Sequence, residues 1–178
     1  YGVQNGIVDE ECTIDKLSPQ SPYADFKLKL ENYLMNKKFK KKFKFVILRL
    51  GTIFGTSVGM RFHTAVNKFC YQASMNEPLT IWKTALNQKR PYLGLNDVND
   101  CIKFLIKHNL FDNSIYNVIT SNNTVNEIVS IIKSYKKNVK IKLVKTKIMN
   151  QLSYEVLSHK IKNKGFQTKD LLSKEIKK

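Results

Sequence analysis

The spacing of hydrophobic and polar positions predicts a chain in which short strands alternate with amphipathic helices. Apolar residues recur every three to four positions in four segments, which predicts helices at 22–36, 61–75, 97–108 and 124–134. Short β-rich or alternating segments predict strands at 43–50, 79–83, 91–95, 115–119 and 139–144. Segments 1–6 and 51–55 are turn-like, and the part after 144 is predicted helical with a break at Gly165. This alternation indicates an α/β fold with parallel pairing.

The first predicted helix has the clearest start and the most informative face. A Ser-Pro pair at 21–22 marks its beginning, because serine caps exposed amide hydrogens and proline is preset for the first helical turn. Along it Tyr23, Lys27, Leu30 and Leu34 follow at steps of four, three and four residues, so they share one face. We expect this face to be the buried one, with the lysine directly beneath the tyrosine.

Composition favours one globular unit. The chain has 178 residues, of which 42% are apolar, enough for one core. It has no apolar run long enough to span a bilayer and no secretory leader, so we expect a soluble, cytoplasmic protein. Its three cysteines lie far apart without paired spacing, which predicts reduced structural thiols.

The formal charge of +17 raises the question of nucleic-acid binding. Of 31 basic residues, only Arg49, Arg61 and Arg90 are arginine, and the lysines are spread along the chain. Base and phosphate readers usually rely on arginine forks, whereas a lysine-rich, Asn- and Ile-rich composition is what codon bias towards A and T produces. We therefore expect no nucleic-acid partner, although a basic binding module stays an alternative.

The candidate chemistry begins with Tyr23 and Lys27. Residues four apart on a helix are neighbours, so the ammonium can stabilise a phenolate that exchanges a proton with a sugar hydroxyl. The spacing is weak evidence alone, because eight tyrosines in this chain give about 1.3 such pairs by chance, and Tyr33 with Lys37 also fits. The alternative is a pair of amphipathic side chains at a helix edge.

Ordered motifs along nearly the whole chain support the first interpretation. They are Tyr1-Gly2 with the acidic 9–11, SPYADFK at 21–27 with Glu31, LRLGTIFG at 48–55, EPLTIW at 77–82, RPYL at 90–93 with NDV at 96–98, IYNV at 115–118, and Ser153-Tyr154 with KIKNKGF at 160–166. In this order they resemble the extended short-chain dehydrogenases of the sugar-nucleotide epimerase and dehydratase type.

The resemblance implies an active site of which this chain carries one part. Tyr23 would be the general acid and base, and Lys27 would stabilise the phenolate and bind the nicotinamide ribose hydroxyls. Both would contact NAD or NADP together with Leu50 and Gly51. The glycine-rich phosphate loop and the Ser or Thr that polarises the substrate would precede Tyr1, so we expect the isolated chain to be inactive.

Three further residues would bind a nucleotide-sugar substrate. Arg90 would hold its diphosphate, while Thr52 and Asn67 would contact the sugar nucleotide. A surface ion pair is the alternative for Arg90, and a helix-surface amide for Asn67. The family often has asparagine where Thr52 stands and a small or hydroxyl residue where Phe26 stands. The histidines lack ligand spacing, so we expect no metal.

The implied fold is the C-terminal part of a Rossmann-type parallel sheet plus a small α/β substrate-binding domain. Segments 1–56 and about 96–119 would be the Rossmann-type elements, and about 57–95 and 120–178 the substrate-binding part. The implied function is epimerisation or dehydration of a nucleotide-activated sugar by reversible hydride transfer, and a reductase of the same fold is the alternative. A homodimer through the Tyr23 helix is also implied.

Overall fold

A computed structural model describes residues 1–2, 4–12, 16–36, 40–145 and 153–177. Its helices are α1 (Pro22–Met35), α2 (Ala65–Ser74), α3 (Leu95–Lys107), α4 (Val125–Tyr135), α5 (His159–Asn163) and α6 (Leu172–Lys177). Its strands are β1 (Asn5–Val8), β2 (Val46–Leu50), β3 (Thr52–Phe54), β4 (Leu79–Trp82), β5 (Lys89–Gly94), β6 (Ser114–Val118), β7 (Ser121–Thr124), β8 (Ile141–Val144) and β9 (Ser153–Val156). The chain is therefore an α/β protein.

Two helix starts have the caps that the sequence predicts. The Ser21 hydroxyl accepts a hydrogen bond from the Ala24 amide at 3.1 Å, at the start of α1. The Thr124 hydroxyl accepts from the Glu127 amide at 3.2 Å, while Glu127 accepts from the Thr124 amide at 2.9 Å. Each cap satisfies amide hydrogens that lack a partner inside the helix, so these residues fix where α1 and α4 begin.

Parallel pairing dominates the described strands. Strand β1 pairs with β9, β2 with β6, β3 with β5, and β4 with β8, all in parallel, and β7 joins β5 antiparallel. In the β2–β6 pair Leu50 lies opposite Val118. Strand β2 thus ends beside β6, with β3 following after one residue, and this end forms part of the site described below.

The described residues form two main apolar cores. One lies between α2, α4 and strands β4 and β5, and Leu79 and Ile128 are fully buried in it. The other lies between α3, α5 and β6, and Tyr116 and Cys101 are fully buried there. Helix α6 adds Leu172 to the first core. The C-terminal segment therefore packs against both cores.

The predicted structure is wrong near both ends of the chain. The segment 1–6, predicted as a turn, contains the start of β1, and residues 153–156, predicted helical, form β9. Each strand has four residues, too few to show a period, and each is stabilised by a partner distant in sequence. The break at Gly165 is confirmed, with φ of +97° after α5. Residues 146–152 lie outside the described part.

Two further strands occur where none was predicted. The loop at 51–55 contains β3, which pairs with β5. The polar segment Ser121–Thr124 forms β7, which pairs with β5 on its other side. Serine and asparagine are poor strand formers, so here backbone pairing outweighs intrinsic propensity. The helix predicted at 61–75 begins later, at Ala65.

Candidate active site

Helix α1 borders a cleft of about 610 Å³. Tyr23, Lys27, Leu30 and Leu34 all line it, so the prediction that they share one face is confirmed. The prediction that this face is buried is wrong, because none of the fourteen residues of α1 is buried. The face opens onto the cleft rather than onto packed side chains.

Tyr23 and Lys27 are close together in this cleft. The Tyr23 side chain is 72% exposed, and Lys27 Nζ lies 5.6 Å from the centre of its ring. This distance is within reach of a cation–π interaction. The corresponding distance for the alternative pair, Tyr33 with Lys37, is not given by the structure, because Lys37 lies outside the described residues. The arrangement leaves the Tyr23 hydroxyl accessible to a molecule in the cleft.

The end of β2 also lines the cleft. Leu50 and Gly51 line it, and the Gly51 amide donates to the Val118 carbonyl at 3.0 Å. A Cβ at position 51 would lie 3.1 Å from the Tyr92 carbonyl carbon and 3.2 Å from the Pro91 carbonyl carbon. Glycine therefore allows the two backbones to approach closely here. Four of the seven predicted site residues thus meet in one cleft.

The residues predicted to bind substrate lie outside this lining. Thr52 is exposed on β3, opposite Tyr92. Asn67 is buried, and its amide is engaged by the backbone of one loop: Oδ1 accepts from the Gly55 amide at 3.3 Å, and Nδ2 donates to the Arg61 carbonyl at 3.1 Å. Asn67 therefore bridges the two ends of the loop that leads into α2.

Arg90 is half-buried on β5. Its Nη2 donates to Gln88 Oε1 at 3.3 Å, and burial lowers its pKa. The ion pairs found in the described part do not include Arg90, so the alternative of a surface ion pair has no support there. Electrostatic interactions with Tyr154 and Tyr92 act in the opposite direction and raise the pKa of Arg90. A half-buried guanidinium with no carboxylate partner among the described residues is suited to binding an anion.

A polar network in the lining of the same cleft was not predicted; it consists of Tyr1, Glu31, Arg49 and Asn117. Arg49 Nε donates to Glu31 Oε2 at 3.0 Å, and Arg49 Nη2 donates to Glu31 Oε1. The Arg49 guanidinium carbon lies 4.8 Å from the centre of the Tyr1 ring. The Tyr1 hydroxyl is 2.7 Å from Asn117 Oδ1, and Asn117 Nδ2 donates to the Leu157 carbonyl at 2.8 Å. The network links α1 to β2, to β6 and to the segment after β9.

Two sequence signals could have found this network. Arg49 is a charge inside the apolar segment 43–50, and a buried charge needs a partner. Glu31 stands four residues after Lys27, on the same side of the helix. Burial acts against the Arg49 charge, but the hydrogen-bonded Glu31 carboxylate and the neighbouring Tyr1 outweigh it and raise the pKa of Arg49.

Metal and thiol chemistry find little support in the described residues. No group of three or more His, Cys, Asp or Glu side chains within them could hold a metal ion. Burial raises the pKa of Cys70 and of Cys101 to about 11. None of the helices among these residues is both long and apolar enough to cross a membrane.

A tyrosine and a lysine one turn apart on a helix that borders a cleft at the end of a parallel strand agree with the class that the sequence resembles, the short-chain dehydrogenases. Comparison with protein families agrees, since residues 1–118 match the NAD dependent epimerase/dehydratase family. The chain belongs to that family.

Solved structures share the fold. A dTDP-glucose 4,6-dehydratase from Bacillus anthracis, in complex with NAD, matches 99% of this chain with a TM-score of 0.77 and 19% identity, over 56% of its own length. A UDP-glucuronic acid 4-epimerase from Bacillus cereus, in complex with NAD, matches 99% with a TM-score of 0.81 and 20% identity, over 55% of its length. A UDP-glucose 4-epimerase from Thermus thermophilus, in complex with NAD, matches 90% with a TM-score of 0.75 and 24% identity, over 53% of its length. The chain therefore spans little more than half the length of these proteins.

Proposed function

We propose that this chain is part of an NAD(P)-dependent enzyme that epimerises or dehydrates a nucleotide-activated sugar. The observation that carries the proposal is the cleft in which Lys27 lies against Tyr23, with Leu50 and Gly51 in the same lining. Its volume of about 610 Å³ suits one end of a dinucleotide. The residues of the cleft thus fit a nicotinamide riboside: Lys27 can reach ribose hydroxyls, and Gly51 adds no side chain to the wall.

In the proposed reaction a protein side chain transfers the proton, as distinct from the hydride. A nicotinamide held by Tyr23, Lys27, Leu50 and Gly51 would supply reversible hydride transfer at a sugar carbon. Tyr23, as the phenolate, takes the proton of the hydroxyl on that carbon, so that the carbon–oxygen bond becomes a carbonyl. In the return step Tyr23 gives the proton back. Lys27 would stabilise the phenolate form of Tyr23 and would hold the ribose hydroxyls.

The substrate would be a nucleoside diphosphate sugar. Arg90 would bind the diphosphate, because its guanidinium has no carboxylate partner among the described residues and can meet two phosphate oxygens at once. Asn67 would act on the substrate through the loop that it bridges, in addition to any direct contact. Thr52, exposed beside the end of β2, would contact the sugar. The related structures include proteins named for UDP-glucose, UDP-glucuronic acid and dTDP-glucose.

Two further features belong to this proposal. Segments 1–56 and about 96–119 would form the cofactor side, and about 57–95 and 120–178 the substrate side. A second copy would pack on α1, where Phe26, Leu30 and Tyr33 are 61%, 40% and 58% exposed and recur every three to four residues.

The decisive experiment replaces Tyr23 by phenylalanine in the complete protein. We expect turnover of UDP-glucose, UDP-glucuronic acid or dTDP-glucose, whichever the unmodified protein accepts, to fall at least about 100-fold while NAD binding changes little, because only the proton-transfer group is lost. Tyr33→Phe, in the same helix, is the matched control and should keep normal turnover. Undiminished turnover of Tyr23→Phe would contradict the proposal.

The same assay separates the two reaction types. In an epimerase or dehydratase the nicotinamide is recycled, so one equivalent of cofactor supports many turnovers. In a reductase, reduced cofactor is consumed in proportion to product. Net consumption of reduced cofactor would therefore contradict the proposed reaction and indicate a reductase of the same fold.

A further inference from the structure

Helix α1 carries Tyr23 and Lys27, yet apolar packing holds it weakly. None of its residues is buried, and the face with these two side chains opens onto the cleft. A catalytic pair must nonetheless be held to within a fraction of an ångström, since a misplacement of about 1 Å can cost about 100-fold in rate. Some other contact must therefore fix the helix on the sheet.

The Glu31–Arg49 pair has the geometry for this task. Both Arg49 nitrogens that face Glu31 donate to its carboxylate, one to each oxygen. A bidentate pair constrains orientation as well as distance, because the planar guanidinium and the carboxylate must be aligned. The Arg49 and Glu31 side chains are only 17% and 11% exposed, respectively, so water competes weakly for these hydrogen bonds.

The position of Glu31 on the helix adds to the argument. It lies one helical turn beyond Lys27 and about 12 Å along the axis from Tyr23, on the same side. Fixing Glu31 therefore fixes both the rotation and the axial position of the catalytic pair. By contrast, the ion pair between Lys29 and Asp25 stays within the helix and is largely exposed, so it cannot orient α1 on the sheet.

Arg49 is itself held on its other side. The Tyr1 ring packs on its guanidinium, and the Tyr1 hydroxyl contacts the fully buried Asn117 on β6, which lies opposite Arg49 in the parallel register. Arg49 Nη1 is buried without a hydrogen-bond partner in the described part of the chain. An ion pair that leaves one buried nitrogen without a hydrogen bond contributes little to stability, but it can still define a unique geometry.

We propose that Glu31 and Arg49 are positioning residues that set the orientation of Tyr23 and Lys27 relative to the cleft. This inference rests on the proposed function, because it assigns Tyr23 a proton-transfer role. Both side chains line the same cleft as the catalytic pair, but the proton transfer itself is assigned to Tyr23. Their effect passes through the backbone of α1, from the turn that holds Glu31 to the turns that hold Lys27 and Tyr23.

The test uses Glu31→Gln in the complete protein, with Asp25→Asn as the matched control on the same helix. We expect kcat to fall about 10- to 100-fold in Glu31→Gln while KM changes less than about threefold, because geometry rather than binding is lost. Hydrogen exchange of the α1 amides should rise while that of β2 and β6 stays unchanged. Asp25→Asn should match the unmodified protein in all three measurements.

A double variant separates positioning from stability. Replacing both Glu31 and Arg49 by methionine removes the two partly buried charges together, which often leaves stability unchanged. We expect this variant to melt within a few degrees of the unmodified protein and still to show the fall in kcat. Its α1 amides should also exchange faster.

Several outcomes would overturn the inference. Glu31→Gln could equal Asp25→Asn in kcat, or could lose turnover without any change in α1 exchange. Both pair variants could instead fail to fold, which would make the pair purely structural. Full activity of Tyr23→Phe would remove the proposed function itself, and the exchange of α1 would then decide whether the pair still orients the helix.

Discussion

Gly94 is a position at which an added methyl group should disturb the structure sharply. It precedes α3, and a Cβ there would lie 2.1 Å from Asp170 Oδ2 and 2.5 Å from Asp170 Cβ. Asp170 accepts hydrogen bonds from the amides of Asn96 and Asp97 at 3.1 and 3.2 Å. Gly94→Ala must therefore displace the side chain that caps α3.

The cost can be estimated from these contacts. Loss of a helix cap typically costs about 0.5–2 kcal/mol, and forced overpacking adds about 1–3 kcal/mol. The buried Asp97 carboxylate would also lose its hydrogen bonds from the Lys169 and Asp170 amides as the segment moves. We expect Gly94→Ala to lower the free energy of unfolding by about 2–4 kcal/mol.

Urea unfolding of the complete protein, followed by circular dichroism, measures this change. Gly59→Ala is the matched control, because a Cβ at that position meets nothing within 4 Å, and it should change stability by less than about 0.5 kcal/mol. Asp170→Gly removes all three atoms nearest to the added methyl group. In that background Gly94→Ala should cost less than about 1 kcal/mol.

Additive effects of the two substitutions would refute this reasoning. The steric argument requires that the cost of the methyl group depends on Asp170, so a double variant equal to the sum of the single ones means that the methyl group acts elsewhere. A stable Gly94→Ala protein would likewise show that the capping segment can move without cost.

Two further predictions concern acid stability and assembly. The Thr124 amide donates to Glu127 and holds the pKa of that carboxyl below its ordinary value of 4.5. The ionised Glu127 therefore stabilises the fold fully above pH 4.5, and this stabilisation is lost as the pH falls through the lowered pKa. Glu127→Gln should flatten this part of the curve of stability against pH, measured by urea unfolding, and an unchanged curve would contradict the assignment. If a second copy packs on α1, Phe26→Lys should shift the mass measured by light scattering from dimer to monomer, whereas the same substitution at exposed Ile102 on α3 should not.

The sequence predicts most of the framework because its signals are local. The Ser-Pro start of α1, the Thr124–Glu127 cap and the break at Gly165 depend on neighbouring residues, and each is present. The shared face of Tyr23 and Lys27 is equally local, since it follows from helical periodicity. Burial of that face is not local, because it depends on what lies across the cleft.

Long-range contacts explain what the sequence does not predict. Strands β1, β3, β7 and β9 are three or four residues long, and two of them are largely polar, so their conformation comes from partners far along the chain. Arg49 carries a visible signal, a charge within an apolar strand, but its partner Glu31 lies on a different element. Only the packed structure shows that the two side chains meet.

The pairing of β1 with β9 also affects how the chain acquires its fold during synthesis. Asn5 and Ser153 lie 148 residues apart in sequence, so β1 can pair with β9 only after all the residues between them have been synthesised. Closing so long a loop is slow, and until it closes the edge of β1 that pairs with β9 presents amides and carbonyls that can pair with other chains. Pairing with residues 153–156, or a chaperone, therefore protects this edge of β1 from aggregation.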